Sequence, residues 1–440
     1  MISTPILDFA ERYAASGTLR LHMPGHKGKP ILGCEALDLT EIQGTEKLIE
    51  DSERNAAAVF LSGKTLYSAE GSSLCIRAMV YLALLARPGA PIVAARNVHA
   101  AFVSAAALCG AEIVWLWPET RSSLCECLIA PEALEAVLAS LPAPPAAVYV
   151  TSPDYLGNLA DIPALAAVCR KHDTPLLVDN AHGAYLKFLP HSLHPLDQGA
   201  AMCCDSAHKT LPVLTGGAYL HIAKDAPAEF SANGARAMAL FASTSPSWLI
   251  LASLDRCNAL LCGDYPARLA KAAAALERLR QRLRERGWEL SGSDPLRLTL
   301  RGDGFGIAAR LRRGGIEPEY ADRDFCVLMA TPENPPGSGE YLAAVLGEAP
   351  PAAPPLPSLP AGRCERVCSP REALFVPWET VPLRDALGRV CAAAALSCPP
   401  AVPAVISGER IGPEALALLD YYGTEQVAVL KSLDNPGGSS

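Results

Sequence analysis

Between about residues 56 and 222, short apolar runs alternate with alanine-rich stretches whose apolar residues recur at spacings of three and four. The runs are PIVAARN (91–97), EIVWLW (112–117), AAVYVTS (146–152), PLLVDNA (175–181), AAMCCDS (200–206) and GGAYLHI (216–222), with stretches such as ALEAVLAS and LAAVCRKH between them. This alternation constrains the fold more than any other feature. Strands that are apolar throughout and separated by helices have to lie in a mostly parallel sheet covered on both faces, an α/β architecture. Such sheets bind ligands beyond the carboxyl ends of their strands, so chemistry is expected directly after these runs.

The rest of the chain is read around that unit. YPARLAKAAAALERLRQRLRERG (265–287) predicts one long amphipathic helix ending at Gly287. LRLTL, GFGIAARLRRGGI and FCVLMAT then predict a strand–helix–strand unit of a smaller domain. EAPPAAPPLPSLPAG (348–362) reads as a Pro-rich connector, followed by an ordered C-terminal part and a frayed tail, DNPGGSS. A chain of 440 residues exceeds one small core. The division expected is an N-terminal arm at 1–55, a large domain at 56–262, an interdomain helix with a small α/β domain at 263–347, and the connector with a smaller α+β C-terminal domain at 348–440.

Several function classes drop out. A net charge of -8, without basic clusters interleaved with aromatics, argues against a nucleic-acid binder. MISTPILDFAERYAASG lacks the basic start and apolar run of a signal peptide, and the apolar stretch at Ala78 to Leu85 is far short of the ~20 residues that span a bilayer. The fifteen cysteines are scattered through apolar runs, as at Cys75, Cys109, Cys169 and Cys391, and their tight pairs (Cys125/Cys127, Cys203/Cys204, Cys364/Cys368) have no second pair at zinc spacing. Reduced thiols and a cytoplasmic location are expected. In LHMPGHKGKP (21–30), His22 and His26 are spaced for a helical metal site, but Pro24 and Gly25 break the helix. That stretch reads as a structured turn anchored by hydrogen bonds of His26 and Lys27. No metal is expected.

Four segments carry candidate chemistry. DSAHKTLP (205–212) follows AAMCC and puts Lys209 at a strand's carboxyl end, where a lysine loses its proton more readily and can form a Schiff base. The bland alternative is a solvated loop lysine. PLLVDNAHGAY (175–185) ends a strand on Asp179, with His182 beside Gly183. A carboxylate thirty residues before such a lysine fits pyridoxal phosphate, whose ring nitrogen it would keep protonated, although a capping Asp and a core His read equally from the residues. AEGSS offers Gly71, Ser72 and Ser73 before a helical run, either a phosphate cradle or a plain cap. ARNVHAAF places His99 after a strand, to stack on a flat cofactor or to sit satisfied in the core.

Taken with HMPGHKG (22–28), TSPDYLGNLADI (151–162), DSAHKTLPVLTGG (205–217), TSPSWLILASLD (244–255), GIEPEY (315–320), SPREALF (369–375), ETVPL (379–383) and CPPAVPAVISGERI (398–411), these segments resemble the fold-type I, pyridoxal-phosphate-dependent ornithine/lysine/arginine decarboxylases in their short form, without the N-terminal receiver-like domain. The matches run in family order over nearly the whole chain. The resemblance implies a fold-type I transferase-like fold and decarboxylation of a basic amino acid to an amine and CO₂. It implies Lys209 as the Schiff-base lysine, Asp179 as partner of the ring nitrogen and His99 as the ring-stacking group. Ala181 and His182 lie against the ring, and Ser72, Ser73, Ser206 and His208 hold the phosphate. Ser245 or Ser247 is implied to complete the site from a neighbouring subunit, hence a homodimer.

The chain departs from the family at Ala100-Ala101, where many members have Lys-Ser, at Asp154 in place of Thr, around Lys64 and Glu70, and at Cys398 in place of Tyr. Asp154, Glu379 and Glu409 are the acidic residues considered for the substrate's distal cation, and the sequence does not choose among ornithine, lysine and arginine. An aminotransferase or carbon–sulfur lyase on the same fold would need an arginine for the substrate carboxylate, a role for which Arg371 is the candidate. A non-catalytic binding protein of the same fold is the remaining alternative.

Overall fold

The computed structural model describes residues 2–40, 42, 44–118, 121–349, 359, 363–393 and 401–431. Most of the Pro-rich connector, Cys398 and the tail lie outside the described residues. Helix α1 (Pro5–Ala15) and helix α2 (Glu46–Phe60) precede the sheet. The Asp255 carboxylate accepts hydrogen bonds from the Ile6 and Leu7 amides, which ties down the first turn of α1. The sheet and its helices then follow in order: β1 (Lys64–Ser68), α3 (Ser72–Ala86), β2 (Ile92–Ala95), α4 (Ala100–Cys109), β3 (Ile113–Leu116), α5 (Pro131–Ser140), β4 (Ala147–Thr151), α6 (Ile162–Lys171), β5 (Leu176–Asp179), β6 (Met202–Asp205), α7 (Ala207–Thr210) and β7 (Ala218–Ile222).

The strand order is β1-β7-β6-β5-β4-β2-β3. From β3 to β6 every pairing is parallel, while β7 and β1 add an antiparallel edge. All six predicted runs are strands; β1 was not among them. KTLYS is short and half polar, and only the pairing to β7 and the helices over it make it buried. On β6 the side-chain alternation sends Met202 and Cys204 into the core under α3 and α4, and Cys203 into the core under α5 and α6. Helix α3 is apolar nearly all round because it is buried there: Leu74, Cys75, Ile76, Ala78, Met79 and Val80 are all enclosed.

After helices α8 (Ala228–Phe241) and α9 (Trp248–Leu261), the predicted long helix appears as α10 (Tyr265–Glu285). It buries Leu269, Leu276, Leu279 and Leu283 and ends where Gly287 takes the left-handed conformation at φ 83°. The small domain contains β8 (Leu290–Ser291), β9 (Arg297–Arg301), α11 (Gly304–Arg313), β10 (Tyr320–Ala321), β11 (Phe325–Met329) and α12 (Ser338–Leu346). Its four strands form one antiparallel sheet that shares a core with α10, α11 and α12. The C-terminal unit holds α13 (Pro370–Leu374), β12 (Trp378–Pro382), α14 (Pro413–Tyr421) and β13 (Gln426–Leu430), with β12 and β13 paired antiparallel.

Among the described residues the cysteines are free thiols, most of them buried, and no helix is long and apolar enough to cross a membrane. In the 21–30 stretch, Lys27 takes a left-handed φ of 57° and donates to the His22 carbonyl. His26 bonds Asp38 and accepts from the Gly28 amide, whereas His22 bonds the Tyr13 hydroxyl, so the two histidines serve different partners.

Candidate active site

A cavity of about 460 Å³ opens where the carboxyl ends of the parallel strands meet the small domain. Its lining includes Ser72, Ser73, His99, Asp179, Ala181, His182, Ser206, His208 and Lys209, which are the residues singled out for the cofactor. Topology explains the convergence. Asp179 ends β5 and His182 follows it, residues 206–209 follow its neighbour β6, His99 follows β2, and Ser72 opens α3.

Lys209 sits on the short helix α7, one turn beyond β6, and its Nζ lies 3.0 Å from His182 Nε2. On the other side of that ring, Arg297 Nη2 lies 2.9 Å from Nδ1. A guanidinium can only donate, so Nδ1 accepts and the proton of the neutral imidazole is on Nε2, directed at Lys209. For this contact to be a hydrogen bond, Nζ must offer a lone pair, which an ammonium lacks. The electrostatics agree: burial lowers the Lys209 amine from the usual lysine range, helped by Arg297 and opposed by Asp179 and Glu319. Burial, with the basic groups of Lys209 and Arg297 on either side, also holds His182 far below the ordinary imidazole range.

Asp179 is 2% exposed. Its Oδ2 accepts from the Tyr149 hydroxyl at 3.2 Å, and Oδ1 accepts from the Ala181 amide at 3.2 Å. His99 caps α4, its Nδ1 accepting from the Ala101 amide at 3.1 Å; the proton of the neutral ring is therefore on Nε2, and burial lowers its basicity. Ser206 donates to Ser72 Oγ at 2.8 Å, and His208 Nδ1 donates to the Gly217 carbonyl at 3.0 Å. Gly71, at φ 71°, turns the chain into α3 without any side-chain cap, which leaves the first amides of a 15-residue helix free to meet an anion.

The residues fit pyridoxal phosphate on the donor set alone: a proton-poor lysine, a dry carboxylate one strand away, and a helix start ringed with hydroxyls. The buried Thr151 hydroxyl on the cavity wall, without a hydrogen-bond partner, is a further polar group awaiting a ligand.

The three acidic residues considered for the substrate are corrected. Asp154 is 2% exposed and points back into its own loop, accepting from the Leu156 and Asn158 amides and from Asn158 Nδ2. Glu379, on β12, pairs with Arg389 at 2.7 Å. Glu409 is buried against Arg96 at 3.2 Å, where the guanidinium also lies over Trp115 and Trp117 and fastens the C-terminal unit through the Pro403 and Ala404 carbonyls. None of the three lines the cavity. Glu319 does, at an exposed position beside Tyr155, whose hydroxyl donates to its Oε1 at 2.7 Å. Tyr155 in turn packs edge-on against His182. Glu319 lies within the quoted GIEPEY stretch, but that stretch alone gave no sign of which carboxylate faces inward.

Other assignments resolve individually. Arg371 donates to the Ala107 and Leu108 carbonyls and is not in the cavity, and no arginine is among its lining residues. Ser245 is exposed and Ser247 caps α9; neither lines the cavity of this chain. Glu70 does line it, and accepts from the Ser243 amide at 2.6 Å. Lys64 reaches the Ser231 carbonyl, and Ala100 binds the Ala401 carbonyl through its amide. Residues 21–30 contribute nothing to the cavity wall.

Residues 31–299 match the model of the Orn/Lys/Arg decarboxylase major domain, and residues 367–430 match that of the Orn/Lys/Arg decarboxylase C-terminal domain. Arginine decarboxylase of Halalkalibacterium halodurans is 28% identical over 94% of this chain and 92% of its own length. Arginine decarboxylase of Bacillus subtilis is 26% identical, over 94% of this chain and 93% of its own. Among solved structures, the lysine decarboxylase of Francisella novicida superposes with a TM-score of 0.77 at 16% identity, covering 98% of this chain and 81% of that one.

Proposed function

The chain belongs to the Orn/Lys/Arg decarboxylase family, and from that premise we propose that it decarboxylates a basic amino acid with pyridoxal phosphate held on Lys209. The observation that carries the reading is the Lys209–His182–Arg297 file beside Asp179. It supplies an uncharged amine at the one place where a carbonyl cofactor needs a nucleophile. Ser72, Ser73, Ser206, His208 and the free amides of α3 would hold the phosphate, Asp179 the ring nitrogen, and His99 one face of the ring.

The chemistry that group supplies when bound is a carbonyl that condenses with the substrate amine and a conjugated ring that delocalises the electron pair freed as CO₂ departs. The chain's own part is placement and charge. The buried Asp179 carboxylate would stabilise positive charge on the ring; a unit pair at ~4 Å and an effective dielectric of ~20 is worth about 4 kcal/mol, or roughly three decades in rate if fully expressed. Glu319 at the mouth binds the substrate's distal cation, and Tyr155 fixes that carboxylate by its hydroxyl. After loss of CO₂, His99 Nε2, or Lys209 Nζ once it has taken up the proton shed by the incoming substrate ammonium, would return a proton to the substrate's α-carbon.

Two measurements test this. Adding pyridoxal phosphate to wild-type protein is expected to give a protein-bound visible absorbance band that Lys209→Ala lacks. Incubation with L-arginine, L-lysine or L-ornithine is expected to release CO₂ without accumulating a keto acid. Keto-acid formation in place of CO₂ overturns the reaction assigned here, and absence of the band in wild type overturns the cofactor.

A further inference from the structure

A second cluster of titratable groups lies outside the cavity and is not used by the chemistry above. Cys203 and Asp205 are two apart on β6 and so face the same side, and the antiparallel pairing sets His221 of β7 directly opposite Cys203. His194 comes in from the loop after β5, just before a short 3-10 turn at Pro195–Gln198. His194, Asp205 and His221 are each 0% exposed. His194 Nε2 lies 3.0 Å and His221 Nε2 3.3 Å from the same carboxylate oxygen, Asp205 Oδ2.

His221 Nε2 makes no hydrogen bond despite that closeness, while its Nδ1 contacts the Thr65 hydroxyl at 2.8 Å. If Nδ1 carries the proton and donates to Thr65, Nε2 presents a bare lone pair to the cluster, the arrangement of a metal-binding histidine held by an outer partner. Asp205 Oδ1 is oriented in the same way by Asn180 Nδ2 at 2.7 Å. Phe60 lies against both imidazoles and keeps the cluster dry. A buried carboxylate requires a compensating partner; His194 Nε2 offers Asp205 Oδ2 a hydrogen bond at 3.0 Å, and a cation would take the place of that proton. The nearby Lys187 ammonium is engaged by Asp197 at 2.6 Å.

We propose that His194 Nε2, His221 Nε2 and Asp205 Oδ2 hold a divalent cation of the zinc type, with Cys203 Sγ as fourth donor. Ligand atoms on a tetrahedral zinc at about 2.1 Å stand roughly 3.4 Å apart, and the two contacts to Asp205 are already within that range. Cys203 Sγ is 3.9 Å from His194 Nε2, close enough to complete the set with a small movement. Two imidazoles, a carboxylate and a thiolate suit zinc and disfavour magnesium or calcium, which prefer oxygen alone. The ion would pin the loop after β5 to β6 and β7, and through Asn180 would brace the backbone next to Asp179.

The test uses tag-free, full-length protein produced with added zinc and passed through a desalting column. Elemental analysis is expected to find about one equivalent of zinc per chain, and Asp205→Asn, which keeps the shape of the side chain, is expected to reduce it about tenfold. Because that variant can fail to fold, wild-type protein is also stripped with chelator and titrated with Co²⁺, with one saturable equivalent and visible ligand-field bands expected. Protein that arrives with less than about a tenth of an equivalent of metal and takes up no Co²⁺ overturns the site. Metal content unchanged in a folded Asp205→Asn variant does the same.

Discussion

Two histidine assemblies flank the same strand and have opposite charge patterns. At the carboxyl end of β6, an imidazole lies between two basic groups, the Lys209 amine and the Arg297 guanidinium. Beside the strand, a carboxylate lies between two imidazoles, His194 and His221. The first pattern expels a proton from its members, leaving a nucleophilic amine. The second accumulates negative charge in a dry place and calls for a cation. Burial alone would push the Asp205 carboxyl up, but His194 more than offsets it and holds it below the ordinary range. Both assemblies draw on the same few residue types, so what separates them is which charge occupies the middle.

The comparison breaks most severely at Asp179, the carboxylate that makes the cation-rich cavity workable. Asp179→Asn keeps the hydrogen bonds' outline and removes the charge. Its turnover is expected to fall by about 10³, in line with a charge pair of about 4 kcal/mol, while the cofactor band persists. A loss of less than tenfold in steady-state CO₂ release rules out the assigned role. Next comes Glu319→Gln, which removes the anion from the mouth. A charge-assisted hydrogen bond of about 1.5–3 kcal/mol corresponds to roughly a 10- to 150-fold rise in KM for lysine or arginine. Norleucine, without the distal cation, should show no such change. Equal effects on both substrates would place Glu319 outside substrate recognition.

Arg297 sharpens the comparison directly, because it is the outer cation of the file. It lowers the Lys209 amine behind the larger effect of burial. Arg297→Gln is therefore expected to raise the pH midpoint for cofactor attachment to stripped protein by about one unit, and Arg297→Lys to restore most of it. Following the bound absorbance against pH reads this without any turnover. A midpoint that stays put in Arg297→Gln removes Arg297 from the proton balance of the site.

The cavity was largely legible from sequence because most of the residues proposed for the cofactor lie at or after a strand whose apolar run announces it, Ser72 and Ser73 after the unpredicted β1 being the exception. Lys209 after AAMCC, Asp179 at the end of PLLVD and His99 after PIVAARN needed only the rule that parallel sheets bind at their carboxyl ends. Glu319 and Arg297 were not legible, since they come from the small domain, and their approach to Tyr155 and His182 depends on how that domain packs on the sheet. The His194–Asp205–His221 cluster was hidden for another reason. Its members are 11 and 16 residues apart, and the antiparallel register of β6 and β7 brings two of them together. Asp154 misled because a carboxylate at an unusual position suggests a ligand, whereas its loop supplies three donors that absorb it.

Asp154 also completes the comparison as a buried carboxylate with amide donors but no imidazole beside it. Burial pushes its carboxyl up to about 7, against the pull of the Asn158 hydrogen bonds, whereas the His194 imidazole holds Asp205 down. In the unfolded chain an aspartate titrates near ~3.9. Between that value and about 7 the folded form retains a proton that the unfolded form has released. Its stabilising contribution is therefore full below pH ~4 and is lost as pH rises toward 7, the reverse of the usual aspartate behaviour. Asp154→Asn fixes the neutral form and still offers an oxygen to the Leu156 and Asn158 amides. Thermal melts at pH 5 and pH 8.5 should show the wild type losing more stability than the variant, by roughly 1–3 kcal/mol, or a few degrees in Tm. Parallel losses in the two proteins would mean that Asp154 is ionised in the folded state, and that amides alone hold a buried carboxylate as well as imidazoles do.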